Sequence, residues 1–370
     1  MNNNTLTSIV ILSYNTLDML KMCIESIKGF TETSEYEIIV VENASSDGSA
    51  EWLKKQKDIR CIFNSENMGF PKGCNQGMKI AKGEDILLLN SDIIVTPRWL
   101  EQLKTALYSD KKIGAVSCLA NKCSNLQQLN VTYDGIDELF TFAENYNHSN
   151  SQKWIPYMTL VGFCFLFKRE VYEKIGDLDE EFSPGNYEDD DYSFRIRKEG
   201  YRLLMCADTF IHHFGSGSFI KKRTPEEEKA HGEKYNALLE RNRKYFCNKW
   251  HVPINYKKVS MPVEDIVKIA SNDEHVLIIG NYCMQDISKL LILNNNLKID
   301  YLTDNEVENQ LIHGDYKLFY NKSILQAAKK ITDMYDLIVV SDKIKNNSNK
   351  KKLLNLIFPH AKNGRMMVQG

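Results

Sequence analysis

Over the first 120 residues, short uninterrupted apolar runs alternate with longer stretches of helical spacing. Residues 8–12 (SIVIL), 37–41 (EIIVV), 59–64 and 85–89 (DILLL) read as strands. Between the first two, Leu20, Ile24 and Ile27 share one helical face in a segment that ends at Gly29. The polar turn 42–48 leads into a helix through Trp52, and a Gly-rich turn precedes another helix at about 75–82. Strands that are apolar on both faces, each followed by a helix, predict an α/β fold with a parallel, doubly wound sheet. Ligands of such sheets bind beyond the carboxyl ends of the strands. The polar residues there are Ser13-Tyr14-Asn15, Glu42-Asn43, the stretch 64–69 and Asn90-Ser91-Asp92.

Residues 121–155 are polar and Asn-rich and read as a loop or an insertion of short elements. A strand follows at 160–168, a charged helix at 188–200 and a strand at 201–211. An amphipathic helix spans 224–246, with Pro225 in its first turn. After a Pro-containing connection at 252–263, apolar runs at 275–279, 298–302 and 336–340 restart an α/β pattern. With 370 residues the chain exceeds one ordinary core, and two domains are expected, 1–255 and 256–370.

Composition narrows the function classes. A net charge of -2 gives no electrostatic basis for a nucleic-acid partner. Nine cysteines lie scattered, with no zinc-like spacing, which fits reduced thiols better than a disulfide framework. No stretch approaches the roughly 20 apolar residues of a membrane span. A soluble, cytoplasmic protein is expected.

Three clusters carry candidate chemistry. Asp92 follows a strand at the ligand edge, where a carboxylate can hold a hard divalent cation against phosphates. By itself an aspartate there is more often a turn or a helix cap. Glu188 to Asp191 are four consecutive acids flanked by Tyr187, Tyr192 and Phe194. Such a run commonly marks a solvated helix start, but aromatic packing can raise a carboxyl pKa towards general-base work. Asp191 and Arg195 stand at i,i+4 and pair along the helix. His212 and His213 close a strand before the Gly/Ser turn 215–218, which supplies donors suited to phosphate. Neighbouring strand residues point to opposite faces, so at most one histidine reaches a given site. The turn 67–73 lacks the spacing of a P-loop or a dinucleotide fingerprint.

In chain order VILSYN (10–15), VVENASSDGS (40–49), NMGFPKGCNQG (67–77), LLLNSD (87–92), GFCFLFKREVYEKIGDLDEEF (162–182), YEDDDYSFR (187–195) and HHFGSGS (212–218) form a set covering about residues 8–220. This set resembles the inverting family 2 glycosyltransferases of the GT-A fold, a Rossmann-like nucleotide-diphospho-sugar transferase architecture. The likeness extends to bacterial rhamnosyltransferase-like and flagellin-modifying members.

The resemblance implies a nucleotide-sugar donor, UDP- or dTDP-linked and of the GlcNAc or rhamnose type, with Mn²⁺ or Mg²⁺. It implies that Ser13, Tyr14 and Asn15 line the base pocket and that Glu42 and Asn43 meet base or ribose, with Asp47 supporting the turn. Asn67, Lys72, Ser91 and Ser216 join the donor contacts. Asn90-Ser91-Asp92 takes the place of a DxD motif, so Asp92 is the charged metal ligand, and His212 matches a second ligand or a diphosphate contact. In the acid run Asp189 fits the base and Asp191 the acceptor-orienting acid, with Glu188 beside them. The acceptor is then a hydroxyl of a protein, such as a flagellin Ser or Thr, or of a surface glycan.

The second domain faintly resembles a methyltransferase-like Rossmann layout, but the segment 280–283 has a single Gly where a cofactor loop needs several. A degenerate domain for acceptor docking or homodimerisation is expected, and whether the natural chain continues past residue 370 is left open. Two competing functions are a sugar-phosphate nucleotidyltransferase, which usually carries a Gly-rich N-terminal signature where this chain has SYN, and a non-catalytic sugar-nucleotide or glycan-binding module.

Overall fold

The computed structural model describes residues 5–215, 224–254, 256, 261–272, 274–280, 284–312, 314–341, 344 and 347–368. They form two compact units, 1–154 with 159–249, and 155–158 with 250–370. Among the described residues no helix is long and apolar enough to cross a membrane.

In the larger unit, β1 (Thr7–Ser13), β2 (Tyr36–Glu42), β3 (Ile59–Phe63) and β4 (Asp85–Asn90) pair in parallel, as the apolar runs predict. Four more strands are β5 (Ile93–Ile94), β6 (Ile113–Ala120), β8 (Cys164–Lys168) and β9 (Arg202–His213), with the short β7 (Trp154–Pro156) between β6 and β8 in the chain. The path across the sheet is β3-β2-β1-β4-β8-β6-β9-β5. It is not wholly parallel: β8 runs antiparallel to β4 and β6, and β5 antiparallel to β9. The expectation of a parallel sheet therefore holds for β1 to β4 and again for β6 with β9, which also pair in parallel, and fails at β8 and β5. Because β8 is reversed, its entering end lies beside the leaving end of β4.

Helices cover both faces. α1 (Leu17–Phe30) buries Leu20, Cys23, Ile24 and Ile27, which join Trp99, Leu100 and Leu103 of α4 (Trp99–Leu107) over Ile9 and Ile11. Each fully buried Leu or Ile of this layer contributes about 1.5–3 kcal/mol. α2 (Ser49–Leu53) is one short turn after β2. On the other face α3 (Phe70–Ile80) lies close to β1 because Gly73 and Gly77 face it. A Cβ on Gly73 would meet Leu12 Cδ1 at 2.2 Å, and one on Gly77 would meet Val10 Cγ1 at 2.3 Å.

The stretch read as a loop or an insertion of short elements contains α5 (Ile136–Tyr146). It packs through Phe140 on Phe30 (4.7 Å between ring centroids) and through Phe142 on Phe210 (5.2 Å). Asn147 ends it, donating to the carbonyls of Pro97 (2.8 Å) and Phe210 (3.3 Å) and accepting from the Phe210 amide (2.8 Å). The remaining helices are α6 (Arg169–Ile175), α7 (Glu188–Lys198) and α8 (Pro225–Trp250).

The smaller unit carries β10 (His275–Ile279), β11 (Lys298–Thr303), β12 (Lys317–Tyr320), β13 (Leu337–Val340) and β14 (Met366–Val368). All pair in parallel, in the order β12-β11-β10-β13-β14. The strand order reverses between β10 and β13, where doubly wound sheets open a ligand crevice. Here Gly280 presses on Ser341, and a Cβ on Gly280 would lie 2.6 Å from the Ser341 Cβ.

The close approach of α3 predicts a stability effect. Val10 is fully buried in a central strand and stiff at χ1, so Gly77→Ala forces a shift costing about 1–3 kcal/mol. That exceeds the gain of about 1 kcal/mol in helix propensity. Gly29→Ala meets nothing within 4 Å and is expected to be neutral or stabilising. Urea denaturation midpoints compare the two, and a Gly77→Ala protein as stable as wild type would refute the close approach.

Candidate active site

The carboxyl edge of the parallel strands is built from interlocked turns. Ser13 ends β1 fully buried, and its carbonyl accepts the Asn43 amide at 2.9 Å. Beyond it Asn15 takes φ +55°, and beyond β2 Ala44 takes φ +62°. Such conformations cost a non-Gly residue about 1–3 kcal/mol and cluster at functional sites. The two turns bind each other: the Asn15 amide donates to Ser45 Oγ (2.9 Å), and the Ser46 amide donates to Asn15 Oδ1 (2.8 Å). Asp47 accepts the amides of Leu17 (2.8 Å) and Ser49 (3.0 Å). Burial opposes its ionisation, but these amides and the Ser49 hydroxyl hold the carboxyl below its ordinary value. Tyr14, 46% exposed, leaves its ring open at this edge.

Glu42 and Asn43 do not project into open space. Glu42 is buried and its carboxylate accepts the amides of Ala44 (3.2 Å) and Ser45 (2.7 Å). Asn43 donates to Asn67 Oδ1 (2.7 Å) and accepts from Asn64 Nδ2 (3.0 Å) and the Met68 amide (3.0 Å). Asn67 in turn accepts the Gly69 amide (2.9 Å). These three residues shape the edge, with Glu42 buried beneath its own turn. Lys72, on the first turn of α3, has no hydrogen bond or ion pair among the described residues.

Ser91 continues the edge, accepting from Thr16 Oγ1 at 2.9 Å. Asp92 lies next to a histidine, and that histidine is His213. Its Nε2 is 3.3 Å from Asp92 Oδ1, while its Nδ1 donates to the Lys122 carbonyl at 2.7 Å. The carbonyl fixes the tautomer and directs Nε2 at the aspartate, the arrangement that presents an imidazole to a metal. Burial pulls the His213 pKa down, but the Asp92 hydrogen bond and charge outweigh it and raise it above the ordinary value. His212 points elsewhere, hydrogen-bonded through Nδ1 to the Tyr133 hydroxyl. Burial pushes it down to about 4, with His213 and Lys122 adding to the effect. The expectation that His212 partners Asp92 is corrected: pairing of β5 with β9 turns His213 to the site.

The acid run reaches the same edge through Phe163. The Asn90 amide donates to the Phe163 carbonyl (2.9 Å), and the Phe163 ring stacks on His213 (5.5 Å, 12°). One residue earlier, the Gly162 amide donates to Asp189 Oδ2 at 3.0 Å. Asp189 is the one member of the run that is not fully covered; Glu188, Asp190 and Asp191 are buried. Asp191, expected to orient the acceptor, faces basic side chains. It is inaccessible and held by Arg195 Nε (3.0 Å) and Lys249 Nζ (2.7 Å), while the Arg195 guanidinium also donates to the Ile175 and Asp177 carbonyls. Ser216 lies outside the described residues.

Residues 8–176 match the family described as Glycosyl transferase family 2. This segment belongs to that family. The family 2 domain thus contains every expected donor residue except Ser216, together with Asp92, whereas the acid run and both histidines follow it. The mixed α/β sheet, which runs on into β9 beyond the matched residues, fits the GT-A arrangement expected from the motifs. The chain is 25% identical over 240 residues to the uncharacterized protein y4gI of Sinorhizobium fredii, covering 61% of this chain and 26% of that one. It is also 25% identical over 211 residues to the low-salt glycan biosynthesis hexosyltransferase Agl10 of Haloferax volcanii, covering 54% and 64%. It thus spans less than two thirds of the length of either relative. Among solved structures, the mannosyltransferase PcManGT from Pyrobaculum calidifontis, in complex with GDP-Man and Mn²⁺, superposes with a TM-score of 0.45 at 18% identity. That match covers 72% of this chain and 79% of the other.

Sequence reading missed Gly162, Lys122, Asn121 and Tyr133. Asn121 accepts the His213 amide (2.8 Å), and the Lys122 ammonium donates to the Phe214 carbonyl (3.2 Å). All four lie between β6 and β8: Asn121, Lys122 and Tyr133 in a polar stretch without strand or helix periodicity, and Gly162 in the run read as a strand, where nothing local marks its amide.

The two histidines should separate in a binding experiment. His213→Ala is expected to weaken Mn²⁺-dependent UDP binding by more than about tenfold, and His212→Ala to leave it within about threefold. Calorimetric titration measures both, and the reverse ranking would restore His212.

Proposed function

We propose that the chain is an inverting glycosyltransferase that passes a sugar from a nucleotide-diphosphate donor to a hydroxyl acceptor. The observation carrying this is that the Asp92–His213 pair and Asp189 are both anchored to Phe163 and its neighbour at the ligand edge of a family 2 sheet.

A carboxylate and an imidazole on one side suit Mn²⁺ or Mg²⁺, the remaining positions being open to water and diphosphate oxygens. Among the described residues no group of three or more His, Cys, Asp or Glu side chains could hold a metal without such outside ligands. When bound, the ion offsets charge on the leaving diphosphate. Lys72, whose ammonium has no partner among the described residues, adds positive charge on the donor side. Tyr14 offers a ring to the base, and the turns at Asn15 and Ala44 shape the nucleoside pocket.

Asp189 takes the proton from the acceptor hydroxyl as its oxygen bonds to the anomeric carbon. The bond from that carbon to the diphosphate oxygen breaks in the same displacement, and configuration inverts. Two amides, Gly162 and Asp190, fix the orientation of the carboxylate (3.0 and 2.9 Å). No covalent sugar–enzyme intermediate is required.

A glycan hydroxyl is the favoured acceptor, supported by the glycan-biosynthesis role in the name of Agl10. A flagellin Ser or Thr hydroxyl is the alternative that an acceptor screen distinguishes. Incubation with UDP-N-acetylglucosamine and dTDP-rhamnose plus Mn²⁺ separates the competing functions. Transfer or slow hydrolysis is expected, EDTA abolishes it, and synthesis of sugar nucleotide or binding without turnover would sink the proposal. Asp189→Asn should lower kcat by about 10²–10⁴ with donor affinity near normal, and wild-type turnover would move the base elsewhere.

A further inference from the structure

The segment presenting Asp189 is gripped by α8, which lies beyond the family match. This helix has 26 residues but buries only Asn242, Phe246 and Cys247. Asn242, Phe246 and Lys249 follow at spacings of four and three, on one helical face.

Each holds the chain on one side of Asp189 or the other. Asn242 is fully buried, and its Nδ2 donates to the carbonyls of Phe182 (2.8 Å), Gly185 (2.9 Å) and Asn186 (2.9 Å). Its Oδ1 accepts from Arg241 Nε (2.9 Å) and Nη2 (2.7 Å), and Arg241 also donates to the Ser183 carbonyl. The Phe246 ring lies 5.7 Å from Tyr187 and 5.1 Å from Phe194. Lys249 bridges Asp191 (2.7 Å) and Asp179 (2.6 Å).

The gripped segment is strained. Asn186 and Tyr187, directly before the acid run, take φ +75° and +76°. Two successive non-Gly residues in this region persist only where the surroundings over-determine them. A helix that merely covered a core would present a broad apolar stripe. α8 instead aims polar atoms at the carbonyls of one loop.

We propose that α8, through Asn242, is the positioning element for the base: it holds residues 182–187 in their strained path and so aims Asp189. This rests on the reading of Asp189 as the base. Asn242→Asp keeps the shape of the side chain but turns its donor into an acceptor facing three carbonyls. Hydrogen exchange of amides 183–190 should then rise by about tenfold or more, with β1, β2 and β4 unchanged. UDP binding with Mn²⁺ should stay within about threefold, while kcat for UDP-N-acetylglucosamine or dTDP-rhamnose falls about 10–10²-fold at unchanged KM. Because the effect passes through Asp189, Asn242→Asp should cost nothing further in an Asp189→Asn background. Exchange that rises everywhere or nowhere, or a further loss in that background, overturns the proposal.

If Asn242→Asp does not fold, Phe246→Leu carries the same measurements. If neither folds, α8 is a folding element and the proposal fails. Undiminished turnover of Asp189→Asn would instead sink the base assignment. The two failures are distinguishable because exchange at 183–190 reads the hold on the loop with no donor present.

Discussion

At the end of β4 the Asn90 amide donates to the Phe163 carbonyl, and the site is laid out from that bond in both chain directions. Two residues on from Asn90 stands Asp92; one residue back from Phe163 stands the glycine whose amide holds Asp189. The Phe163 ring covers one face of His213, which completes the pair with Asp92. The bond exists because β8 enters the sheet antiparallel to β4. Had β8 run parallel, its entering end and the acid run tied to it would lie at the opposite edge. The reversed strand is thus the condition for having Asp189 and the Asp92–His213 pair on the same side.

Much of this was legible from residue pattern alone. The parallel half declared itself because its strands are buried on both faces and leave uninterrupted apolar runs. α5 was hidden because its partners Phe30 and Phe210 are far away in the chain and because polar, Asn-rich residues flank it on both sides. For the histidines, alternation established that they oppose each other but not which one faces in. That depends on β5, a two-residue strand too short to register as a pattern.

The acid run shows the same boundary between local and distant information. The Asp191–Arg195 pair follows from helical spacing and is present. What also holds Asp191 is Lys249, which no local rule connects to it. Glu42 and Asn43 teach the complementary lesson. Polar residues at a ligand edge can be there to satisfy the backbone of the edge itself, since buried amides that lack water need partners. Sequence reading finds the polar residue and leaves open whether its partner is ligand or loop.

The mixed direction of the sheet also divides the site by how freely each wall can change. The wall formed by β1, β2 and β4 consists of short turns locked to one another, in which an insertion would break several bonds at once. The other wall is the long passage between β6 and β8, residues 121–163, which contributes Tyr133, the Lys122 carbonyl and the Gly162 amide and otherwise carries few sheet obligations. Descendants of such a chain can lengthen or rebuild that passage while the opposite wall stays as it is.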